Sequence, residues 1–218
     1  MDYYKPSFIE YPEYKTFSFF EDVLKDLEDK PFHKECIVVT ITDAEYDVCD
    51  DRSQGENFKA NSNPGTFGKG LISSKDDQFK TVRIGLLGQM AFGKVFGLDV
   101  DIAYREKGDE FDFMLGDNKA DIKCASQNHK INPYNLEQHT RESGRIKPVN
   151  KEYYVQSFLD YEDREGKKAV VVLVGYVTKK DVEESQKIKS FYAEFTNHKL
   201  AFIVAKPIRE LVEKFKLI

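Results

Sequence analysis

The chain contains the stretch Gly108-Asp-Glu-Phe-Asp112-Phe-Met-Leu-Gly-Asp-Asn-Lys-Ala-Asp121-Ile-Lys123, which predicts a β-hairpin. The Gly-Asp-Asn sequence at its centre is typical of a tight turn between two strands. Side chains at positions i and i+2 of a strand project from the same face. We therefore expect Asp121 and Lys123 to lie side by side, with Ile122 buried behind them. Asp112, on the neighbouring strand, is expected to add a second carboxylate at the same place.

These side chains predict a metal site. Two neighbouring carboxylates repel each other unless a cation lies between them, and hard oxygen ligands suit Mg²⁺, which proteins commonly hold with one or two carboxylates. A lysine beside the cation, here Lys123, can orient or deprotonate an attacking water and stabilise charge on a phosphate. Asp112, Asp121 and Lys123 therefore predict Mg²⁺-dependent phosphodiester hydrolysis. The alternative is an Asp-x-Lys triplet that occurs by chance on a surface strand.

A long buried helix is predicted upstream of the hairpin, over residues 76–96. Apolar side chains recur there at spacings of three and four on more than one side. Gly85, Gly88 and Gly93 each cost up to about 1 kcal/mol of helix propensity relative to alanine, and we expect them to permit close approach to a sheet. Gln89 is a polar member of the apolar stripe, either a core amide bonded to the backbone or part of a site.

The remaining segments alternate between the two kinds of secondary structure. Strands are predicted by β-branched and aromatic runs at residues 36–42, 100–104, 110–115, 119–125, 153–158, 169–175 and 200–204. Further helices are predicted at residues 18–29, at residues 178–187 and from residue 207 onward. Loops are predicted at residues 43–65 and 127–150. This order predicts an α/β (α+β) fold with a mixed central sheet flanked by helices.

Composition limits the class of protein. A chain of 218 residues with 40% hydrophobic content is large enough for a sizeable core. We interpret residues 1–75 as an N-terminal extension packed on a core of residues 76–218. The chain has no run of about 18 apolar residues, so no membrane span is predicted. The first residues do not resemble a signal peptide, so we expect a cytoplasmic protein. Three cysteines without paired spacing argue against a disulfide scaffold.

The distribution of charge is more informative than the net charge of −5. Between Lys123 and Lys151 the chain has six lysines and arginines against two glutamates. A basic segment directly after the acidic hairpin can follow a phosphate backbone, whereas the alternative is a solvated loop without a ligand. The candidate DNA contacts in this segment are Lys130, Arg141, Arg145 and Lys147.

Three segments, taken in order, resemble the PD-(D/E)xK nuclease superfamily. They are Gly85-Leu-Leu-Gly-Gln89-Met-Ala-Phe92, Asp109-Glu-Phe-Asp112-Phe and Asp121-Ile-Lys123. The similarity spans about residues 80–180 and is greatest to small phage and bacterial members. It implies a restriction-endonuclease-like fold, cleavage of DNA, and dependence on Mg²⁺ with Mn²⁺ as a substitute.

The resemblance also implies roles for single residues. Asp112 and Asp121 correspond to the metal-binding carboxylates, the carbonyl of Ile122 to a third ligand, and Lys123 to the catalytic lysine. Gln89 stands where these nucleases usually have a glutamate. Its amide keeps the hydrogen-bonding reach of that side chain without the charge, which leaves open a one-metal enzyme or a weakened nuclease.

The leading hypothesis is a Mg²⁺-dependent DNA endonuclease, and a homodimer would suit it because cutting both strands commonly needs two sites. The alternative is a catalytically weakened or inactive nuclease-fold protein that acts as a nucleic-acid-binding or assembly module, as Gln89 and the acidic net charge suggest. A different hydrolase built on His129 or His139 is a third hypothesis, which neither metal-ligand spacing nor a nucleophile motif supports.

Overall fold

A computed structural model gives the structure of the protein over eight segments of the chain. The described residues are 2–16, 35–54, 75–103, 111–126, 134–139, 149–189, 196–200 and 205–216. The predicted helix at residues 18–29 lies outside them, as does most of the strand predicted at residues 200–204.

The described segments form twelve strands and four helices. The strands are β1 (Tyr3–Tyr4), β2 (Tyr14–Thr16), β3 (Glu35–Ile41), β4 (Val100–Asp101), β5 (Phe113–Leu115), β6 (Asn118–Ser126), β7 (Tyr134–His139), β8 (Tyr153–Asp163), β9 (Lys168–Thr178), β10 (Gln186–Lys189), β11 (Thr196–Leu200) and β12 (Lys206–Pro207). The helices are α1 (Asp43–Gln54), α2 (Lys75–Phe96), α3 (Lys179–Glu183) and α4 (Ile208–Phe215). None of these described helices is both long enough and apolar enough to cross a membrane.

Seven of the described strands form one mixed sheet, in the order β2-β3-β9-β8-β6-β5, with β12 also paired to β9. Strands β6 and β8 run parallel, and the other pairs are antiparallel. The predicted hairpin is confirmed as β5–β6, and its turn contains Gly116 at a φ of +60°. The prediction of a mixed sheet flanked by helices is also confirmed.

The division of the chain at residue 75, into an N-terminal extension and a core on which it packs, stays a prediction. The described strands β2 and β3 precede that position and pair within the main sheet, β3 directly with β9. Two smaller sheets accompany the main one, β1–β4 and β10-β11-β7.

The main sheet has two buried faces. Ile122 and Val155 point toward the larger core, which includes apolar residues of α1, α2 and α4, and we call this side the α2 face. Tyr154 and Val177 point the other way and pack with Val182 of α3, and we call this side the Tyr154 face. Because side chains alternate along a strand, neighbours in sequence lie on opposite faces.

Helix α2 lies unusually close to the main sheet at Gly88 and to the segment from Leu98 to Val100 at Gly93. A Cβ added at Gly88 would lie 2.5 Å from Cys124 Cβ and 3.2 Å from Ser157 Oγ, and one added at Gly93 would lie 2.8 Å from the carbonyl oxygen of Leu98. A Cβ at Gly85 would meet nothing within 4 Å. The expectation of close approach is therefore confirmed at Gly88 and Gly93 and wrong at Gly85.

Two loop predictions were wrong in part. Residues 43–54 form helix α1, and its start is a capping box, in which Thr42 N donates to Glu45 Oε2 at 2.8 Å and Glu45 N donates to Thr42 Oγ1 at 3.4 Å. Tyr46, Cys49 and Ser53 face inward at helical spacing. The surrounding acids hide this pattern in the sequence. Strand β7 likewise lies within the loop predicted at residues 127–150.

Glu45 connects three parts of the structure through a buried carboxylate. Its side chain is 1% exposed and accepts from Lys94 Nζ at 2.6 Å, from Thr42 N, and from the backbone and hydroxyl of Ser7 at 2.9 and 2.7 Å. Burial alone would raise the pKa of Glu45, but these hydrogen bonds, Lys94 foremost, outweigh it and hold the pKa below its usual value.

Replacing Lys94 by methionine should destabilise the fold most at neutral pH and less in acid. A carboxyl group with a depressed folded-state pKa contributes stability above its unfolded pKa and loses it as the pH falls through the folded value. Without the ammonium group, burial should raise the pKa of Glu45, so Lys94→Met should lose about 3–5 kcal/mol at neutral pH and recover part of that loss when acid protonates the carboxyl group. Urea denaturation at neutral and at mildly acidic pH measures this, with the exposed Lys80→Met as control. A difference from the wild type that is the same at both pH values would contradict it.

Two alanine substitutions in α2 should have opposite effects on stability. Gly88→Ala forces α2 away from β6 and should lower the free energy of unfolding by about 1–3 kcal/mol, the usual cost of overpacking. Gly85→Ala adds a methyl group in open space and should raise it by up to about 1 kcal/mol through helix propensity. Urea denaturation of both variants tests the contact, and a Gly88→Ala protein as stable as Gly85→Ala would refute it.

Candidate functional site

Asp112 lies at the end of the β5–β6 ladder and joins three elements. Its backbone N–H donates to the carbonyl of Ala120 at 3.0 Å. Its Oδ1 accepts from Gln89 Nε2 of α2 at 2.9 Å, and its Oδ2 accepts from the backbone N–H of Ile122 in β6 at 2.6 Å. The carboxylate therefore occupies the position at which a backbone carbonyl would ordinarily continue the ladder.

Gln89 reaches Asp112 as a hydrogen-bond donor. An amide next to a carboxylate turns its nitrogen toward that group, because the amide oxygen would be repelled. The contact is therefore favourable without any cation. A glutamate at position 89 would instead bring two negative charges together, and the neutral amide removes that repulsion.

Asp121 lies between two ammonium groups. Lys123 Nζ is 2.5 Å from its Oδ2, and Lys151 Nζ is 3.6 Å from its Oδ1. Asp121 is 7% exposed and Lys151 is 5% exposed, so these two groups are largely out of water, whereas Lys123 is partly exposed. The Lys151 ammonium also lies 5.9 Å from the centre of the Tyr154 ring, a cation–π distance.

The two acidic groups approach the sheet from different sides. Asp121 is paired in register with Tyr154, so Asp121 and Lys123 project from the Tyr154 face. Asp112 is bonded to Gln89 on α2 and to the amide of Ile122, the residue after Asp121. The structure therefore brings Gln89 to Asp112 and Lys123 to Asp121, and the Asp121–Ile122 peptide unit joins the two pairs.

The donor atoms suit a hard cation such as Mg²⁺. Asp121 Oδ2 is buried and receives no directed hydrogen bond from the described residues, although the Lys123 ammonium is in contact with it. Within the described segments, no three His, Cys, Asp or Glu side chains lie close enough together to hold a metal ion. The described residues of this region that could supply oxygen ligands to a cation are Asp112 and Asp121, and backbone carbonyl, phosphate and water oxygens are the other usual ligands of Mg²⁺.

Cys124, next to Lys123, is not suited to act as a ligand or nucleophile. Burial raises the pKa of its thiol to about 12, and the hydrogen bond with Ser157 lowers it only in part. The thiol is therefore neutral at physiological pH, and neutral thiols are weak ligands and weak nucleophiles. Its role is packing against Gly88 of α2.

Gln156 has an unusual environment for an amide. It lies in β8, next to β6 in the middle of the sheet, and is 0% exposed. Neither its Nε2 nor its Oε1 has a hydrogen-bond partner within the described segments. A buried polar group without a partner costs about 1–3 kcal/mol, and such a group in a native structure calls for an explanation.

Sequence reasoning did not identify Lys151 or Gln156 as members of the site. Gln156 carried a usable signal, since it interrupts the apolar strand Tyr153-Tyr-Val-Gln156-Ser-Phe158. Lys151 carried no signal that sequence alone could reveal. Its approach to Asp121 depends on the parallel pairing of β6 with β8, which brings together residues 30 positions apart.

Several predicted residues lie outside the described segments. Asp109 and Glu110, the acids just before Asp112 that could supply a carboxylate in its place, are among them, and so is His129. His139 lies at the end of β7 in the small sheet. The four candidate DNA contacts are also outside, and they remain predictions: Lys130, Arg141, Arg145 and Lys147.

A serine–histidine contact occurs elsewhere in the described structure. Ser185 Oγ lies 3.0 Å from His198 Nδ1 and 2.7 Å from the carbonyl oxygen of Val182. The carbonyl can only accept, so the hydroxyl proton points to Val182 and Nδ1–H donates to Oγ. This arrangement is the reverse of an activated nucleophile, and His198 is only 1% exposed. The contact is therefore structural.

Comparisons with known proteins do not assign this geometry to a family. No protein-family model, curated protein or solved structure matches the chain. The functional assignment therefore depends on the contacts of the residues described above.

Gln89→Glu should make stability depend on Mg²⁺. The new carboxylate would face Asp112 Oδ1 at hydrogen-bonding distance, so the variant should lose about 1–3 kcal/mol without a cation, the cost of an unfavourable buried contact. Added Mg²⁺ should restore this loss, because a cation between two carboxylates removes their repulsion. Thermal unfolding with MgCl₂ or with a chelator measures the difference.

Gln89→Met is the matched control for this substitution. It removes the same hydrogen bond without adding a charge, so Mg²⁺ should not stabilise this variant more than it stabilises the wild type. If the two variants responded equally to Mg²⁺, Asp112 and residue 89 would not share a cation-binding position.

Proposed function

We propose that the chain is a Mg²⁺-dependent DNA endonuclease of the PD-(D/E)xK superfamily, hydrolysing phosphodiester bonds. One observation carries the proposal. Asp121 and Lys123 form an ion pair on β6, and the backbone N–H of Ile122, which lies between them in sequence, donates to the Asp112 carboxylate. A nuclease centre needs two acids and a lysine close together, and the Asp121–Ile122 peptide unit links the Asp112 pair to the Asp121–Lys123 pair. The order of the three sequence segments that resemble the superfamily supports the same assignment.

The residues have distinct roles in this proposal. Asp112 and Asp121 hold the cation, with the carbonyl of Ile122 as a further ligand. The chemistry that a bound Mg²⁺ supplies is Lewis-acid stabilisation of charge on the scissile phosphate. Lys123, as an ammonium group, orients the attacking water and stabilises negative charge that develops on the phosphate. Gln89 holds Asp112 in position through the amide hydrogen bond.

The electrostatics of the cluster favour a phosphodiester substrate. Two carboxylates and two ammonium groups balance in the described structure: Asp112, Asp121, Lys123 and Lys151. A bound divalent cation makes the cluster positive, and such a site attracts the anionic backbone of DNA. Lys151 is buried beside Asp121 and adds a fixed positive charge that stabilises negative charge developing on the phosphate.

The proposal extends to partners and location. The basic segment with Lys130, Arg141, Arg145 and Lys147 supplies contacts to the DNA backbone. A second copy of the chain cuts the opposite strand. The enzyme acts in the cytoplasm, where DNA and Mg²⁺ are both accessible.

A second candidate function is a nucleic-acid-binding or assembly module that keeps the fold and cuts weakly or not at all. The observation that favours it is the contact between Gln89 and Asp112. A neutral amide donates where an acid would help to hold a second cation, so the site has fewer charges for metal binding. Such a protein would bind DNA in Mg²⁺ or Mn²⁺ without cleaving it.

Asp121→Asn should abolish cleavage and preserve the fold. The amide keeps the shape of the side chain and remains a partner for the buried Lys151 ammonium, whereas alanine would leave that charge without one. Loss of the carboxylate should lower the cleavage rate by about a hundredfold or more, as for removal of one stabilising group in an active site. The assay is a Mg²⁺ and Mn²⁺ cleavage screen with single-stranded, duplex, supercoiled and branched DNA.

Asp117→Asn is the matched control, because Asp117 is an exposed acid in the hairpin turn only four positions away. It should cut like the wild type. Undiminished cleavage by Asp121→Asn would overturn the assignment of the site. Binding without cleavage by the wild-type chain would favour the second candidate function.

A further inference from the structure

The mechanism proposed above makes no use of the Gln156 amide. Both of its polar atoms lack partners among the residues that the structure describes, and the residue has no exposed surface. Methionine or leucine would fill the same space without this cost. The amide is therefore better explained by a partner that it gains in another state of the site than by packing.

The sheet register identifies that partner. Gln156 in β8 is paired with Lys123 in the parallel strand β6 and with Gly175 in the antiparallel strand β9. Residues paired in register project from the same face of a sheet. Gln156 therefore lies beside Lys123 on the Tyr154 face, and on its other side Gly175 contributes no side chain.

Lys123 has to change partner when a cation binds. In the described structure its ammonium is 2.5 Å from Oδ2 of Asp121, the carboxylate that the proposed function assigns to the metal. Two cations at contact distance from one oxygen repel each other strongly in a site of low dielectric. Lys151 is already next to Oδ1 of the same carboxylate. Lys123 therefore needs an acceptor outside Asp121.

We infer that Gln156 Oε1 accepts the Lys123 ammonium when a divalent cation binds Asp121. Gln156 is then a positioning residue, which holds Lys123 beside the cation and away from the carboxylate. The inference rests on the proposed function, because it takes Asp121 as the metal ligand.

The exchange needs only side-chain movement. The backbone of Lys123 is held by the pairing of β6 with β8, and Ser157 Oγ donates to its carbonyl at 3.1 Å. The flexible four-carbon stem of a lysine allows its ammonium to move between neighbouring acceptors without backbone change. The side chain of Lys123 is 37% exposed, so it has space to rotate.

The test is a Mg²⁺ titration of the full chain without DNA. Gln156→Met removes the acceptor and keeps the size of the side chain, so Mg²⁺ affinity measured by calorimetry should fall by about tenfold to a hundredfold, the value of one hydrogen bond with a charged partner. Stability without Mg²⁺ should stay equal or rise, because no hydrogen bond is lost. Gln186→Met, an exposed glutamine in β10, is the control and should bind Mg²⁺ like the wild type.

A spectroscopic readout follows Lys123 directly. In protein with ¹³C-labelled lysine, the Cε signal of Lys123 is assigned by its loss in Lys123→Arg. Mg²⁺ should shift this signal in the wild type, and the shift should be smaller in Gln156→Met. Gln156→Leu provides a second apolar variant if the methionine variant folds poorly. Unchanged Mg²⁺ affinity and an unchanged lysine shift in these variants would overturn the inference.

The two hypotheses fail in different ways. A wild-type chain that binds Mg²⁺ but cuts no DNA contradicts the proposed function, while the Gln156 variants still decide the inference. A wild-type chain that cuts DNA, together with Gln156 variants that bind Mg²⁺ equally well, contradicts only the inference. A wild-type chain that binds no Mg²⁺ contradicts both.

Discussion

The arrangement of the candidate site depends on how closely helix α2 packs against the sheet. At Gly88 there is no room for even a methyl group between the helix and the side chains of Cys124 and Ser157. Gln89 is the next residue, and its amide reaches Asp112 only because the helix axis lies so near β6. Packing at Gly88 therefore sets the position of the Gln89 amide, which in turn orients the Asp112 carboxylate.

The second constraint is the parallel pairing of β6 with β8. Antiparallel hairpins bring together residues that are close in sequence, whereas parallel strands need a long crossover connection. The pairing places Gln156 beside Lys123 and brings Lys151 to Asp121. The charges of the cluster thus come from two distant parts of the chain, and their mutual neutralisation keeps them stable in a buried position.

The parts of the fold that follow from local sequence were predictable. The turn at Gly116 determined the hairpin, and helix α2 was evident from its apolar periodicity. Helix α1 was missed because its surface acids hid the Thr42–Glu45 capping box and the inward spacing of Tyr46 and Cys49. The Asp121–Lys123 contact followed from strand alternation. The contact of Lys151 with Asp121 depended on strand pairing, which local patterns do not encode.

The bond between Asp112 and the amide of Ile122 has a consequence for solubility. Strand β5 ends its pairing with β6 at Phe113, so a side chain, not another strand, accepts the Ile122 N–H. Exposed strand edges with unsatisfied amides recruit strands from other molecules, and a charged side chain at the edge opposes this. The acid proposed to bind the metal therefore also protects the sheet from adding a foreign strand. A substitution at position 112 would therefore have to keep an acceptor for the Ile122 N–H to preserve that protection.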